Sequence, residues 1–158
     1  MNKSKLYVGG GMMLFVLLFC LFWVKIPSIE VCYQNQSFLL KSNDFQLGWI
    51  HSVEKEPWFE TYELKGGELY LKSTKFKTFG AGVPTENRII KSNDGFIHMV
   101  VDRKMSEVTV TVSENVKTTL YTHEKIIPLY QLMDDYETIT IRIVKISLWR
   151  WIWGESID

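Results

Sequence analysis

Phe45-Gln46-Leu47-Gly48-Trp49-Ile50-His51-Ser52-Val53 alternates large apolar side chains and His51 with smaller or polar ones. Trp58-Phe59-Glu60-Thr61-Tyr62-Glu63-Leu64 does the same after the interruption at residues 54–57. A period of two marks a strand, because successive side chains point to opposite faces. The pattern spreads outward. Leu69 and Leu71 alternate with Tyr70 and Lys72, Val108, Val110 and Val112 with Thr109 and Thr111, and Ile139, Ile141 and Ile143 with Thr140 and Arg142. Turn residues separate these runs at Asn43-Asp44, Gly66-Gly67, Asn93-Asp94-Gly95, Glu114-Asn115 and Asp134-Asp135. A short helical turn is expected at residues 128–132. The reading is a mainly β domain, an antiparallel sandwich or partly closed barrel, over residues 27–158.

Matching the apolar faces gives a register. With residues 54–57 as a four-residue loop, Val53 faces Trp58, His51 faces Glu60, Trp49 faces Tyr62 and Leu47 faces Leu64. A two-residue turn at Gly66-Gly67 then pairs Leu64 with Leu69, Tyr62 with Leu71 and Glu60 with Ser73. His51, Glu60 and Ser73 would form a polar row across three strands. Directly opposed side chains there would lie about 4.5–5.5 Å apart at Cβ. Such a row fits a paired buried carboxylate that fixes register, or a site for a ligand or partner. A serine hydrolase needs histidine between serine and acid, whereas Glu60 stands in the middle here. His51, His98 and His123 are scattered without the spacing of a zinc ligand pair, so neither metal nor cofactor is expected.

The chain has 158 residues, 18 basic and 18 acidic, with no net charge. An apolar share of 46% excludes a disordered chain, and the missing basic excess argues against nucleic-acid binding. Two cysteines, Cys20 and Cys32, make no disulfide scaffold. The neutral total conceals a partition. Lys3, Lys5 and Lys25 flank an uncharged run at residues 6–24, and every acidic residue lies at or beyond Glu30. Nineteen residues span about 28 Å as a helix, close to the ~30 Å hydrocarbon core. A secretory leader has a shorter apolar core and a small-residue cleavage site. Here Phe22-Trp23-Val24-Lys25-Ile26-Pro27 follows, and Phe19 stands where a lipidated Cys20 would need a small residue.

Residues 1–26 therefore read as a cytoplasmic stub and uncleaved transmembrane anchor. The positive-inside tendency places the N-terminus in the cytoplasm and the β domain outside. Trp23 suits the interfacial belt. Near the other end, Trp149, Trp151 and Trp153 alternate with Leu148, Arg150 and Ile152. As a strand this is either the last core strand or a tail returning to the membrane surface or to a membrane partner.

Phe79-Gly80-Ala81-Gly82-Val83-Pro84 follows the third strand of the hairpin pair. It lacks the GK[ST] of a phosphate loop and the third glycine of a dinucleotide fingerprint. Its glycines suit a tight connection or a close approach by a ligand. Together, Gly48-Trp49-Ile50-His51-Ser52-Val53-Glu54, Pro57, Glu60 and Phe79-Gly80-Ala81-Gly82-Val83-Pro84 resemble a family of small bacterial domains of unknown function. That family carries a His-Ser-Val, Pro, Glu and Gly-Ala-Gly-x-Pro pattern. Its members are exported or membrane-anchored, and their genes often stand beside the fused membrane subunit of TAXI-type tripartite (TRAP) transporters. The resemblance implies association with solute transport and no established activity. It selects His51, Ser52, Glu60, Gly80, Gly82 and Pro84, to which the register adds Ser73.

The expectation is a single-pass membrane protein whose outer domain is an accessory or interaction module of a TRAP-type transporter, without catalysis. Two alternatives are a solute-binding domain, with His51, Glu60, Tyr62 and residues 80–84 around one pocket, and a metal-dependent or serine hydrolase.

Overall fold

The computed structural model describes residues 3–80, 82–83, 88–90 and 92–157, with side chains from residue 9 onward. The N-terminal run forms α1, Lys3–Trp23. After Val24 the chain enters β1, Lys25–Tyr33, without a linker. Then come β2 (Gln36–Leu40), β3 (Asp44–Ile50), β4 (Pro57–Lys65), β5 (Glu68–Phe76) and β6 (Arg88–Ile90). These are followed by β7 (Ile97–Met105), β8 (Glu107–Thr111), β9 (Thr119–Tyr121) and β10 (Ile126–Ile127). The chain finishes with α2 (Leu129–Leu132), β11 (Thr138–Ser147) and α3 (Leu148–Trp153).

The strands form two antiparallel sheets, ordered β2-β1-β11-β8 and β10-β9-β3-β4-β5-β7-β6. Neither closes on itself, so the architecture is an open sandwich rather than a barrel. The inner faces follow the alternation. Ile29 and Val31 of β1, Val108 of β8 and Ile139 and Ile141 of β11 pack against Phe45, Leu47, Tyr62, Leu69 and Leu71 of the larger sheet. Each fully buried aliphatic side chain there contributes about 1.5–3 kcal/mol. Trp58, Phe76 and Met99 make a second, smaller core, and Trp49 touches both cores.

The Gly66-Gly67 hairpin forms as expected. Both glycines have positive φ, +61° and +82°, which a type I′ turn requires. Leu64 pairs with Leu69 and Tyr62 with Leu71. The β3–β4 register differs from the expected one: Leu47 pairs with Glu60 and Trp49 with Trp58. The connection therefore spans residues 51–56 rather than four residues. It is closed by the His51 N–H donating to Glu56 O at 2.8 Å and the Lys55 N–H donating to His51 O at 2.9 Å. The shift is even, so apolar side chains keep their face, and matching faces could not reveal it. Further along, Lys72 is an extra residue on β5, which puts Ser73 opposite Thr61 and Thr74 opposite Glu60. The polar row of His51, Glu60 and Ser73 is thus not assembled.

The Trp149–Trp153 segment is also corrected, from strand to helix. Ser147 caps it, its Oγ accepting from the Arg150 N–H at 3.4 Å, and the Gly154 N–H donates to Arg150 O at 2.7 Å. Trp149 and Trp153, four residues apart, bring their ring centroids to 4.1 Å. Trp149 also stacks on Phe22 of α1 at 5.4 Å. Residues 9–20 of α1 are exposed apart from the half-buried Cys20, and none carries a charge. Of α1, side chains are described only over residues 9–23, and among the described residues no helix is long and apolar enough to cross a membrane.

β1 is buried on both faces. Its outer face carries Ser28, Glu30 and Cys32, which α3 and its neighbours cover. The Glu30 side chain is 5% exposed and bridges two arginines, Arg142 of β11 at 3.1 Å and Arg150 of α3 at 2.8 Å. Burial works against its ionisation, but hydrogen bonds involving Arg150, Arg142 and Ser37 outweigh that and hold the carboxyl below its ordinary value. Beside it, the Cys32 Sγ lies 3.6 Å from the Glu30 carboxylate. Beyond α3, the Leu39 N–H donates to Glu155 O at 2.9 Å and the Ile157 N–H donates to Leu39 O at 3.0 Å, so the tail covers the edge of β2.

Glu30→Ala is expected to destabilise the domain by about 2–4 kcal/mol. That is less than for a fully buried pair, because both guanidinium groups reach solvent. Because the folded carboxyl titrates below 4.5, its contribution is present above that pH and is lost as pH falls through the depressed value. Chemical denaturation from neutral to acid pH should show this limb in the native chain and not in the variant.

Candidate functional site

The residues singled out from the sequence divide between two places. The first is the end of the large sheet formed by the β3–β4 connection. His51 leaves β3, its ring stacks on Trp58 at 5.6 Å, and its Nδ1 meets the Glu54 carboxylate. Gly80 lies against that same carboxylate, where any Cβ would collide with Glu54. A side chain at position 80 would have to displace the Glu54 carboxylate, so the constraint is this close approach rather than the dihedral angles. Trp58 continues the stack onto Phe76 at 4.7 Å, and Phe79 meets Phe76 edge-on at 5.7 Å. Val83 packs on this cluster. The His-Ser-Val-Glu and Gly-rich segments therefore do come together, through Glu54 rather than Glu60. Ser52 is exposed, and Gly82 is exposed with φ +81°. Pro84 lies outside the described residues.

This end lies away from the point where α1 enters the domain. Gly67, at the opposite end of β4, approaches Pro27 just inside β1. The nine residues of β4 separate the two ends, roughly 30 Å at ~3.3 Å per residue. Trp23, Trp149 and Trp153 sit at the α1 end, exposed around the Phe22–Trp149 stack. Trp151 is half-buried and lines a groove with Lys41, Ser42 and His123.

The second place is a cleft of about 390 Å³ between the sheets. It arises because four strands cannot cover the inner face of seven. Leu47, Trp49 and Leu71 form its apolar floor, with Val108 and Val110 opposite. Glu60 stands in this floor on β4, two residues before Tyr62, and the Tyr62 hydroxyl donates to its Oε2 at 2.5 Å. Burial raises the Glu60 carboxyl pKa, while the Tyr62 hydrogen bond and the Arg103 charge partly offset it. Burial and the adjacent Glu60 also push the Tyr62 hydroxyl far up. Neither His51 nor Gly80 or Gly82 lines this cleft among the described residues. The expected pocket joining His51, Glu60, Tyr62 and the glycine loop is therefore two separate features.

Arg103, at the cleft, was not singled out from the sequence. It pairs with Leu71 and so lies on the inner side of β7, yet an arginine in an alternating run reads as solvent-facing. The neighbouring Asp102, with φ +48°, marks an irregularity that only the structure shows.

The three histidines each meet a different carboxylate. His51 meets Glu54, His98 meets Asp94 at 2.8 Å and His123 meets Asp44 at 3.0 Å. Among the described residues no three potential ligands cluster around a metal position. Ser73 is on the face opposite Glu60, so serine, histidine and acid are not assembled for acyl transfer.

Since the folded Glu60 carboxyl titrates above 4.5, stability falls as pH rises from that value through the raised one. The charged or titratable groups facing it are Tyr62, Arg103 and Glu107. Glu60→Gln keeps an acceptor for Tyr62 and removes the ionisation. It is expected to raise Tm at neutral pH and to abolish this loss. Thermal denaturation across pH 4–8 checks both; a lower Tm throughout would contradict the assignment.

Comparison with curated proteins and with solved structures gave no match. The family model described as Domain of unknown function (DUF1850) matches residues 45–129, from the start of β3 to the start of α2. That stretch holds the whole larger sheet, the cleft floor, β8 and the His51–Gly80 end, and it exceeds half the chain. On that match, the chain belongs to the DUF1850 family of domains of unknown function.

Proposed function

We propose that the chain is a single-pass membrane protein whose extracytoplasmic β-sandwich acts as an accessory module of a TRAP-type solute transporter. The observation that carries the anchoring is α1 itself. It has 21 residues, with large apolar side chains exposed on all its sides, among them Met12, Phe15 and Leu17. A helix apolar all round is stable only when its surroundings are also apolar. Lipid supplies such surroundings and requires the internal backbone bonding that a helix provides.

The aromatic junction supports the same reading. Phe19 stacks on Trp23 at 5.2 Å, and α3 adds Trp149 and Trp153 beside Phe22. Amphipathic aromatic rings favour the membrane–water boundary. In this reading α1 holds the domain at the bilayer, α3 rests at the interface, and the His51–Gly80 end faces away from the lipid toward a partner. The side of the membrane follows from Lys3 and Lys5 before the run and the acidic excess beyond it. The transporter assignment rests on the resemblance in residues 48–85. No reaction is proposed.

Carbonate extraction of native membranes, followed by crosslinking from a photoreactive residue at Trp153 or Val53, tests both parts. The full chain is expected to stay in the pellet, a chain lacking residues 1–24 to be released, and a transporter subunit to be captured. Release of the full chain by carbonate refutes the anchor. An anchored chain that captures no transporter subunit refutes the partner.

A further inference from the structure

We propose that the cleft between the sheets binds an apolar α-amino acid, its ammonium held by Glu60 and its carboxylate by Arg103. The argument starts from strand spacing. Glu60 on β4 and Arg103 on β7 lie on the same inner face with β5 between them. Strands stand ~4.8 Å apart, so the two backbones are separated by about 10 Å. The Glu60 carboxylate accepts from Tyr62, not from Arg103. Two carboxylates, Glu60 on the floor and Glu107 on β8, and one guanidinium, Arg103, thus border one largely apolar cleft, and Arg103 forms a direct ion pair with neither among the described residues.

A ligand that complements this carries both charges on a short polar head and an apolar body. A simple amine offers Arg103 no anion beyond the Glu107 already bordering the cleft, and a simple carboxylate gives Glu60 no cation. An α-amino acid with an aliphatic or aromatic side chain satisfies both. The side chain has Leu47, Trp49, Val108 and Val110 to pack on. The volume agrees, since about 390 Å³ lies toward the small end of ligand pockets, which run from about 300 to 1,000 Å³.

The lining of β8 adds a second argument. All five residues, from Glu107 to Thr111, border the cleft. Alternate strand residues point to opposite faces, so a cleft beneath the sheet would be bordered by Val108 and Val110 alone. The cleft therefore runs along the strand's edge, and β8 ends its sheet. Apart from Thr111 O, which accepts from the Thr118 hydroxyl at 3.4 Å, the outward backbone groups of that edge are offered as hydrogen-bonding partners for the ligand's polar head.

Isothermal titration of the full chain in nanodiscs with L-leucine tests the proposal. Saturable binding is expected. Glu60→Gln and Arg103→Gln are each expected to weaken it by about tenfold or more, roughly 1.4 kcal/mol. Leucinamide, which keeps the ammonium, should respond to Glu60→Gln and not to Arg103→Gln. The carboxylate 4-methylpentanoate should show the reverse. Absence of saturable binding of L-leucine and L-phenylalanine up to about 10 mM overturns the proposal. So does an unchanged leucine affinity in either variant. If a variant fails to fold, the ligand series on the native chain decides. Both analogues must then bind about tenfold more weakly than leucine, and equal affinity overturns the proposal.

Discussion

The Glu30 carboxylate ties β1, β11 and α3 together on the outer face of the smaller sheet. It sits on the first strand after the helix and accepts from Arg142 on the neighbouring strand and from Arg150 on α3. A carboxylate this buried is tolerated only when paired. The pairing closes α3 over the outer face of β1, and Ile146 of β11 is buried on that side. With α3 in place, Trp149 reaches Phe22, and the last turn of α1 gains a neighbour that belongs to the domain. The angle between helix and sandwich is thus set by contacts on both sides of Val24. A flexible linker would leave the domain free to tumble; an ionic clamp with an aromatic stack does not.

The mismatch between four strands and seven shapes the rest. Where β1, β11 and β8 cover the large sheet, the inner face is a dry core. Toward the His51 end the cover changes, and Val83 packs over Trp58, Phe76 and Met99. Glu60 occupies the floor between these two regions, with Trp49 bridging them. An acid is retained at a position that alternation would assign to an apolar residue. Such local disagreement between pattern and residue type marks places kept for something other than stability. The family match begins at β3 and ends at Leu129, so it includes this floor but not β1, β2 or β11, which complete the smaller sheet.

Much of this was legible from period-two patterning. The inward-facing runs of Val108 and Val110 and of Ile139 and Ile141 follow from it, as does the Gly66-Gly67 turn, while the pairing of those two runs is shown by the structure alone. Patterning fails where it is degenerate. A shift of four residues between β3 and β4 leaves every side chain on its face, so loop length could not be fixed. Nothing in Lys72-Ser73 announces an extra residue on β5. Three tryptophans at every second position satisfy a strand, yet the outer two are also four apart and stack on a helix. Ser147 before them and Gly154 after them were the available helix signals. The first strand, β1, was not delimited because it is buried on both faces, which removes the alternation that betrays a strand.

The central claim is positional: the junction of α1, β1 and α3 rests at a bilayer, and the His51–Gly80 end stands away from it. Fluorescence transfer to acceptor lipids in nanodiscs measures this directly, using dyes at Val53→Cys and Glu68→Cys on a background without Cys20 and Cys32. The account predicts strong transfer from position 68 and weak transfer from position 53, which lies roughly 30 Å farther along the sheet. Equal transfer from both positions, or stronger transfer from position 53, would contradict it.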